Sequence, residues 1–212
     1  MSRRLPIYIA VDTSGSMQGE AIQSVNVGLQ SMLHALRQDP HALDTVHLSL
    51  ITFDLKATER LPLTPLDQVQ LPEIRTPKSG ATLMGEALAL IAERVRRDVI
   101  RGSPQRRGDW RPILFLMTDG KTSDSAKFEE MVPIIKKLAF GKIVACAAGP
   151  KANTEDLKKL TDTVVSLDTT DSAAFTSFFQ WVSASVGIGS SNAGTDGADT
   201  LPPPPDEIQF VI

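Results

Sequence analysis

The run VDTSGSM, residues 11–17, ends an apolar stretch with one carboxylate and two hydroxyls at alternate positions: Asp12, Ser14 and Ser16, with Gly15 between the serines. Two other segments carry oxygen side chains of the same kind. Thr82 lies in SGATLMGEAL (79–88), where Gly80 permits close backbone approach, and Asp119 lies in FLMTDG. Carboxylates and hydroxyls are hard ligands. With no His or Cys among them they favour Mg²⁺ or Mn²⁺, with Ca²⁺ as a third option, over Zn²⁺. Two carboxylates cancel only the ion's formal charge. Hydroxyls and water then complete the shell, and the ion stays electrophilic enough to take a carboxylate from outside. The expected metal ligands are Asp12, Ser14, Ser16, Thr82 and Asp119. The same oxygens have a plainer use, as helix caps: Ser14 or Ser16 for a helix starting near Glu20, and Thr82 for the one after it.

Convergence of these loops depends on the elements that end in them. LPIYIAV (5–11), VHLSLITF (46–53), PILFLMT (112–118), KIVACAA (142–148) and VVSL (164–167) are short and apolar, and three are almost continuously so, as parallel strands covered on both faces should be. Between them run helical stripes: Ile22, Val25, Leu29, Met32, Leu33, Leu36; then Ala87, Leu88, Ile91, Val95, Val99; then Met131, Ile134, Ile135, Leu138. The last stripe, Phe175, Phe178, Phe179, Val182 and Val186, has Asp171 or Ser172 as a cap. KATERLP (56–62) follows the second strand too closely for a crossover, which predicts an antiparallel edge strand. The fold class expected is α/β: an open, doubly wound, mostly parallel sheet with one antiparallel edge strand and helices on both faces. In such sheets ligands sit at the carboxyl ends of the strands, near the point where strand order reverses, and Asp12 and Asp119 both stand at strand ends.

Composition narrows the function classes. The 212 residues carry 22 Lys and Arg against 25 Asp and Glu, which gives no electrostatic footprint for nucleic acid or anionic lipid. Arg96-Arg97 and Arg106-Arg107 read as solvated surface. The single cysteine, Cys146, excludes an internal disulfide and reads as a buried thiol. His34, His41 and His47 have no metal-ligand spacing. The apolar start is too short for a signal peptide, and no stretch reaches the ~20 apolar residues that span a bilayer, so a cytoplasmic location is expected. Gly120-Lys121-Thr122 lacks the earlier glycine of a P-loop, so no nucleotide cofactor is expected.

Together, VDTSGSM, SGATLMGEAL and FLMTDG resemble the metal-ion-dependent adhesion site of von Willebrand factor type A domains: D-x-S-x-S, then a Thr, then an Asp. The likeness covers roughly residues 4 to 187. It implies direct ligation by Ser14 and Ser16, with Asp12, Thr82 and Asp119 bound directly or through water. It further implies that ligand exchange between Asp119 and Thr82 is coupled to loop movement and, in related domains, to the last helix. RRLPIYIAVDTSGSM, GDWRPILFLMTDG, VACAAGPKA, SLDTTDS and LPPPP are similar to the bacterial tellurium-resistance-associated branch of that family. That branch implies a Ser/Thr kinase and a PP2C-type phosphatase as partners. The expected function is a metal-dependent protein-interaction module without catalysis of its own.

The enzyme rival is a Mg²⁺-dependent phosphotransferase of haloacid-dehalogenase type, which also starts with an Asp at the end of its first strand. That chemistry needs a second Asp two positions on as proton donor, where this chain has Ser14. Asp119 and Asp124 are candidates for its distal acidic pair. Domain organisation is expected as residues 1–187, the type A domain, and 188–212, a flexible Gly/Ser and then Pro-rich tail. The tail ends in DEIQFVI, whose strand-like apolar character suits docking on its own sheet edge or on another protein. Serines and threonines in 190–200 are candidates for modification by a partner kinase.

Overall fold

The computed structural model describes residues 3–77, 80–105, 107–149, 152–167, 169–191, 201–206 and 208–211. The first apolar run forms β1 (Leu5–Asp12), buried along its whole length. Its residues alternate between two cores. Ile7, Ile9 and Val11 face one layer of helices, and Tyr8 and Ala10 face the other. A strand covered on both sides must be apolar throughout, which is why its alternation is invisible in the sequence.

In chain order there follow α1 (Glu20–Gln38), α2 (Pro40–Thr45), β2 (Val46–Phe53), β3 (Ala57–Pro65), α3 (Met84–Asp98) and β4 (Ile113–Thr118). The second half comprises α4 (Ser125–Lys136), β5 (Lys142–Ala148), α5 (Thr154–Leu160), β6 (Val164–Leu167), α6 (Ser172–Ser191) and β7 (Ile208–Phe210). Among the described residues these strands form one seven-stranded sheet in the order β3-β2-β1-β4-β5-β6-β7. β1 is parallel to β2 on one side and to β4 on the other, so strand order turns back there. β3 is the expected antiparallel edge. The carboxyl ends of β1 and β4 therefore flank the crevice where this class of sheet binds ligands.

One face is covered by α1 and α6, the other by α3, α4 and α5. At the amino ends of the strands, opposite the crevice, Arg4 donates to Asp109 through Nε (2.9 Å) and Nη2 (2.6 Å), and Arg3 lies 3.6 Å from the Trp110 ring centre. The GDW segment is thus an anchor for the start of β1. The helices α1 and α6 meet closely at Gly28, where a Cβ would fall 2.2 Å from Cδ2 of the buried Phe179 ring. Alanine in a helix is otherwise favoured over glycine by roughly 0.5–1 kcal/mol. Here the ring has nowhere to go, so Gly28→Ala is expected to destabilise by about 2 kcal/mol, read as a lower urea midpoint at unchanged slope.

The last helix runs on past residue 187. α6 continues to Ser191, and Ser190 is buried with its hydroxyl donating to the Gly187 carbonyl, so that serine is not an accessible modification site. Residues 192–200, the rest of the expected linker, lie outside the described residues, as do Ser79, Arg106 and Ile212. Of the two destinations open to DEIQFVI, the structure has the one in cis. β7 pairs antiparallel with β6 and adds a second antiparallel edge. Trp181 on α6 donates Nε1–H to the Pro202 carbonyl (2.9 Å) and meets the Phe210 ring edge-on at 6.2 Å. No helix among the described residues is long and apolar enough to cross a membrane.

Candidate metal centre

Each oxygen at the crevice is placed by a specific local device. Thr13 donates its N–H to the Phe53 carbonyl (2.8 Å) and its hydroxyl to Asp54 Oδ2 (2.9 Å), fixing the loop after β1 to the end of β2. A single 3-10 turn, Gly15–Met17, follows, plugged into the core by the fully buried Met17 side chain. Gly19, at φ 88°, turns the chain into α1 in a conformation that side chains resist. This local path holds Ser14 buried and Ser16 exposed on one loop.

The Asp12 carboxylate is buried and accepts from the Ser14 N–H at Oδ1 (2.8 Å) and from the Thr118 hydroxyl at Oδ2 (2.6 Å). A carboxylate has about four acceptor sites, so both oxygens keep capacity for another partner. Ser16 Oγ donates to Asp119 Oδ1 (2.8 Å) and lies 3.1 Å from Ser14 Oγ. Thr82, also buried, comes to the same place from the loop before α3: its Oγ1 lies 3.6 Å from where a Gly120 Cβ would sit. All five expected ligands therefore gather at one end of the sheet, on three loops.

Burial pushes the Asp12 carboxyl up to about 6 from its ordinary 3.8. The bonds from Thr118 and Ser14 oppose the rise, and the nearby charge of Asp119 adds to it. A buried carboxylate facing a second one is unfavourable unless a cation is shared between them. The donor set fits a hard divalent ion. Among the described residues no group of three or more His, Cys, Asp or Glu could hold a metal, so any ion here relies on two carboxylates and three hydroxyls. Asp12, Ser14 and Thr82 form a buried inner half, whereas Ser16 is exposed and Asp119 partly so. An ion held by these groups would supply Lewis acidity toward an oxygen ligand arriving from solvent.

The plainer use of these oxygens does not occur. The residue capping α1 is Gly19 and that before α3 is Leu83, and neither helix takes a side-chain cap from its own N-cap residue. The first amides of α3 are satisfied instead by Asp124, whose Oδ1 accepts from Gly85 N–H (3.0 Å) and Oδ2 from Glu86 N–H (2.9 Å). Asp124 thus spends both carboxylate oxygens on the α3 amides and the Thr122 hydroxyl (2.7 Å), which does not favour a role as the distal acid of a phosphotransferase. The position two residues after Asp12 holds a hydroxyl, as the sequence requires.

Sequence reasoning missed Thr13, Asp54, Thr118 and Ser123 among the groups that hold the ligand loops, and it offered Asp124 only as a distal acid. Thr118 directly precedes Asp119 and Asp124 follows it by five positions, but their partners lie far off in the chain. The other reactive types are placed as expected. Cys146 is buried, which pushes its thiol above the ordinary range. His34 and His41 are exposed; His47 is half buried, and burial pushes it down. Arg96, Arg97 and Arg107 are exposed.

No curated protein matches this sequence closely enough to serve as a relative. Solved structures share the fold at low identity. The von Willebrand factor type A protein from Catenulispora acidiphila is 16% identical with a TM-score of 0.65, the match covering 88% of this chain and 43% of that one. The pilus adhesin SpaC from Lactobacillus rhamnosus GG, in its open conformation, is 14% identical with a TM-score of 0.64, over 88% of this chain and 30% of that one. Proximal thread matrix protein 1 from the mussel byssus, with a zinc-occupied MIDAS motif, is 17% identical with a TM-score of 0.58, over 89% and 46%. This chain thus spans less than half the length of each. In sequence, residues 7–180 match the von Willebrand factor type A domain, a family of metal-dependent protein-interaction modules, and the chain belongs to that family.

Proposed function

We propose that this chain is a protein-interaction module whose partner supplies an Asp or Glu carboxylate to a divalent ion held by Asp12, Ser14, Ser16, Thr82 and Asp119. The observation that carries this reading is the asymmetry of the cluster: Asp12, Ser14 and Thr82 are buried, and Ser16 is open to solvent. Such a site grips an ion from one side and offers the other. Mg²⁺ or Mn²⁺ is the preferred ion, with Ca²⁺ possible. The mussel protein's zinc supports divalent occupancy, but the all-oxygen donor set here is harder than zinc prefers.

In this reading the chain is an adaptor and has no catalysis of its own. Its likeness to the tellurium-resistance-associated TerY branch supports a cytoplasmic role beside a Ser/Thr kinase and a PP2C-type phosphatase in a bacterial stress response. Neither nucleic acid nor membrane is a partner in it.

The test is affinity capture of partners from lysate by the full chain, washed first in Mg²⁺ and then in EDTA. A partner is expected to stay in Mg²⁺, to leave in EDTA, and to be lost when Asp12→Ala or Thr82→Ala replaces the wild type. Retention by both variants in Mg²⁺ at wild-type levels would end this reading.

A further inference from the structure

Thr82 and Asp119 reach the crevice on different loops, yet these loops are joined by a short ladder of hydrogen bonds. Thr82 N–H donates to Ser123 Oγ (3.1 Å), and Ser123 N–H donates back to the Thr82 carbonyl (2.8 Å). One residue on, Asp124 takes the Gly85 and Glu86 amides and also the Thr122 hydroxyl (2.7 Å at Oδ1). Asp124 stands at the N-terminus of α4 but makes no side-chain bond to that helix, so its carboxylate serves only the neighbouring α3 and its own loop. Gly85 is the steric counterpart: a Cβ there would fall 2.5 Å from Phe128 N and 2.7 Å from Asp124 Oδ2. The carboxylate also lies at the positive end of α3, where a negative charge is favoured.

We infer that Ser123 and Asp124 are positioning residues that lock the Thr82 loop to the Asp119 loop, so that these two ligand-bearing segments approach or leave an ion as one body. This rests on the five oxygens being an ion site, and it adds a constraint on how that site works. Asp119 stands five positions before Asp124, and Thr82 three before Gly85, so each ligand is a short tether from the shared clamp. An exchange of Asp119 for Thr82 as direct ligand cannot then proceed by moving one loop past the other. It must either shift both or break the ladder. The loop carrying Thr82 has a further tie, Leu83 N–H to the Asp54 carbonyl (2.9 Å), so breaking the ladder would leave it attached to the β2 end alone.

The experiment measures Mn²⁺ binding by titration calorimetry on the full chain, with amide hydrogen exchange on the metal-free protein. Wild type is compared with Asp124→Ala, Asp124→Asn and Ser123→Ala, and with Asp12→Ala as the variant lacking a ligand. Supporting groups behind metal ligands typically contribute 10–100-fold in affinity, so Asp124→Ala is expected to weaken Mn²⁺ binding by about tenfold or more. It should also speed exchange at the Thr82, Gly85 and Glu86 amides before any metal is added. Asp124→Asn keeps one acceptor oxygen and should recover part of both losses, while Ser123→Ala should release Thr82 alone. Should Asp124→Ala fail to fold, Asp124→Asn and Ser123→Ala carry the same comparison. Wild-type Mn²⁺ affinity in the folded variants would overturn the clamp while leaving the ion site intact. A wild-type chain that binds no Mn²⁺ would instead overturn the ion site, and the clamp's role toward it with it.

Discussion

In the metal-free protein the stability contributed by Asp12 is expected to be lost as pH rises from about 4 to about 6, and a saturating divalent cation is expected to restore it only above that range. The cause is Asp12, whose carboxyl burial pushes up to about 6 from the ordinary 3.8. Between these values the folded state keeps a proton that the unfolded chain has released. The contribution of this group is therefore fully present below the unfolded value and is lost as pH rises through the folded one. The gap corresponds to a loss of about 3 kcal/mol once Asp12 is ionised. A cation that binds the ionised carboxylate acts in the opposite sense. At a concentration about a hundredfold above its dissociation constant it returns about 2.7 kcal/mol. Below pH about 6 it competes with the proton, and its affinity should fall about tenfold per pH unit.

The comparison that isolates Asp12 from the other titrating groups is Asp12→Asn, which is neutral throughout and still accepts one bond from Ser14 or Thr118. Urea unfolding of both proteins across this range, with and without Mg²⁺, gives the difference curve. The wild-type pH window and the Mg²⁺ stabilisation should both vanish in the variant. Equal stabilisation by Mg²⁺ at pH about 4 and about 7.5 would mean that the ion binds elsewhere.

The same carboxylate shows how far the sequence could be read. An apolar run that stops in Asp-x-Ser-x-Ser announces a strand end carrying oxygen ligands, and a second run that stops in Thr-Asp-Gly announces another. Their adjacency followed from the doubly wound order, because the first and fourth strands of such a sheet are neighbours. What could not be read was the competition for each hydroxyl. Ser14, Ser16 and Thr82 are all good caps by residue type, and only the three-dimensional arrangement decides. Gly19 and Leu83 precede the helices, and Asp124, 39 positions from Gly85, takes the amides that Thr82 might have served. Likewise Thr118 bonds Asp12 across 106 positions, a pairing with no local signature. Local chemistry names the ligands; long-range backbone pairing chooses what holds them.

The tail is ambiguous in sequence for a different reason. Ile208, Phe210 and Val211 carry the pattern of an edge strand, and a pattern of that kind fits any unpaired edge, its own or another protein's. Position in the sheet resolves it. β6 would otherwise be the edge, and β7 covers it, with Ile208 buried among the α6 side of the core.

Removal of residues 201–212 is accordingly expected to cost about 3 to 5 kcal/mol of stability, the second large effect. Ile208, only 3% exposed, accounts for about 2 kcal/mol of this by burial alone. The remainder comes from Leu201 against the core, the Phe210 contact to Trp181, and the Val211 N–H bond to the Val164 carbonyl (2.8 Å). Against these stands the freedom the tail regains when it leaves, which keeps the net below the sum. For a chain of this size the melting temperature should fall by roughly 10 °C. The bared β6 edge should also promote association between molecules. Mn²⁺ affinity should not change, because β7 lies three strands from β4. A peptide of residues 201–212 added in trans should raise the melting temperature of the shortened chain again. If the shortened chain melts as the full one does, β7 contributes nothing to stability. If Mn²⁺ affinity falls with stability while the protein remains folded, the contacts of Pro202 and Phe210 with Trp181 on α6 reach the ion site, and the tail and that site are coupled through the helix.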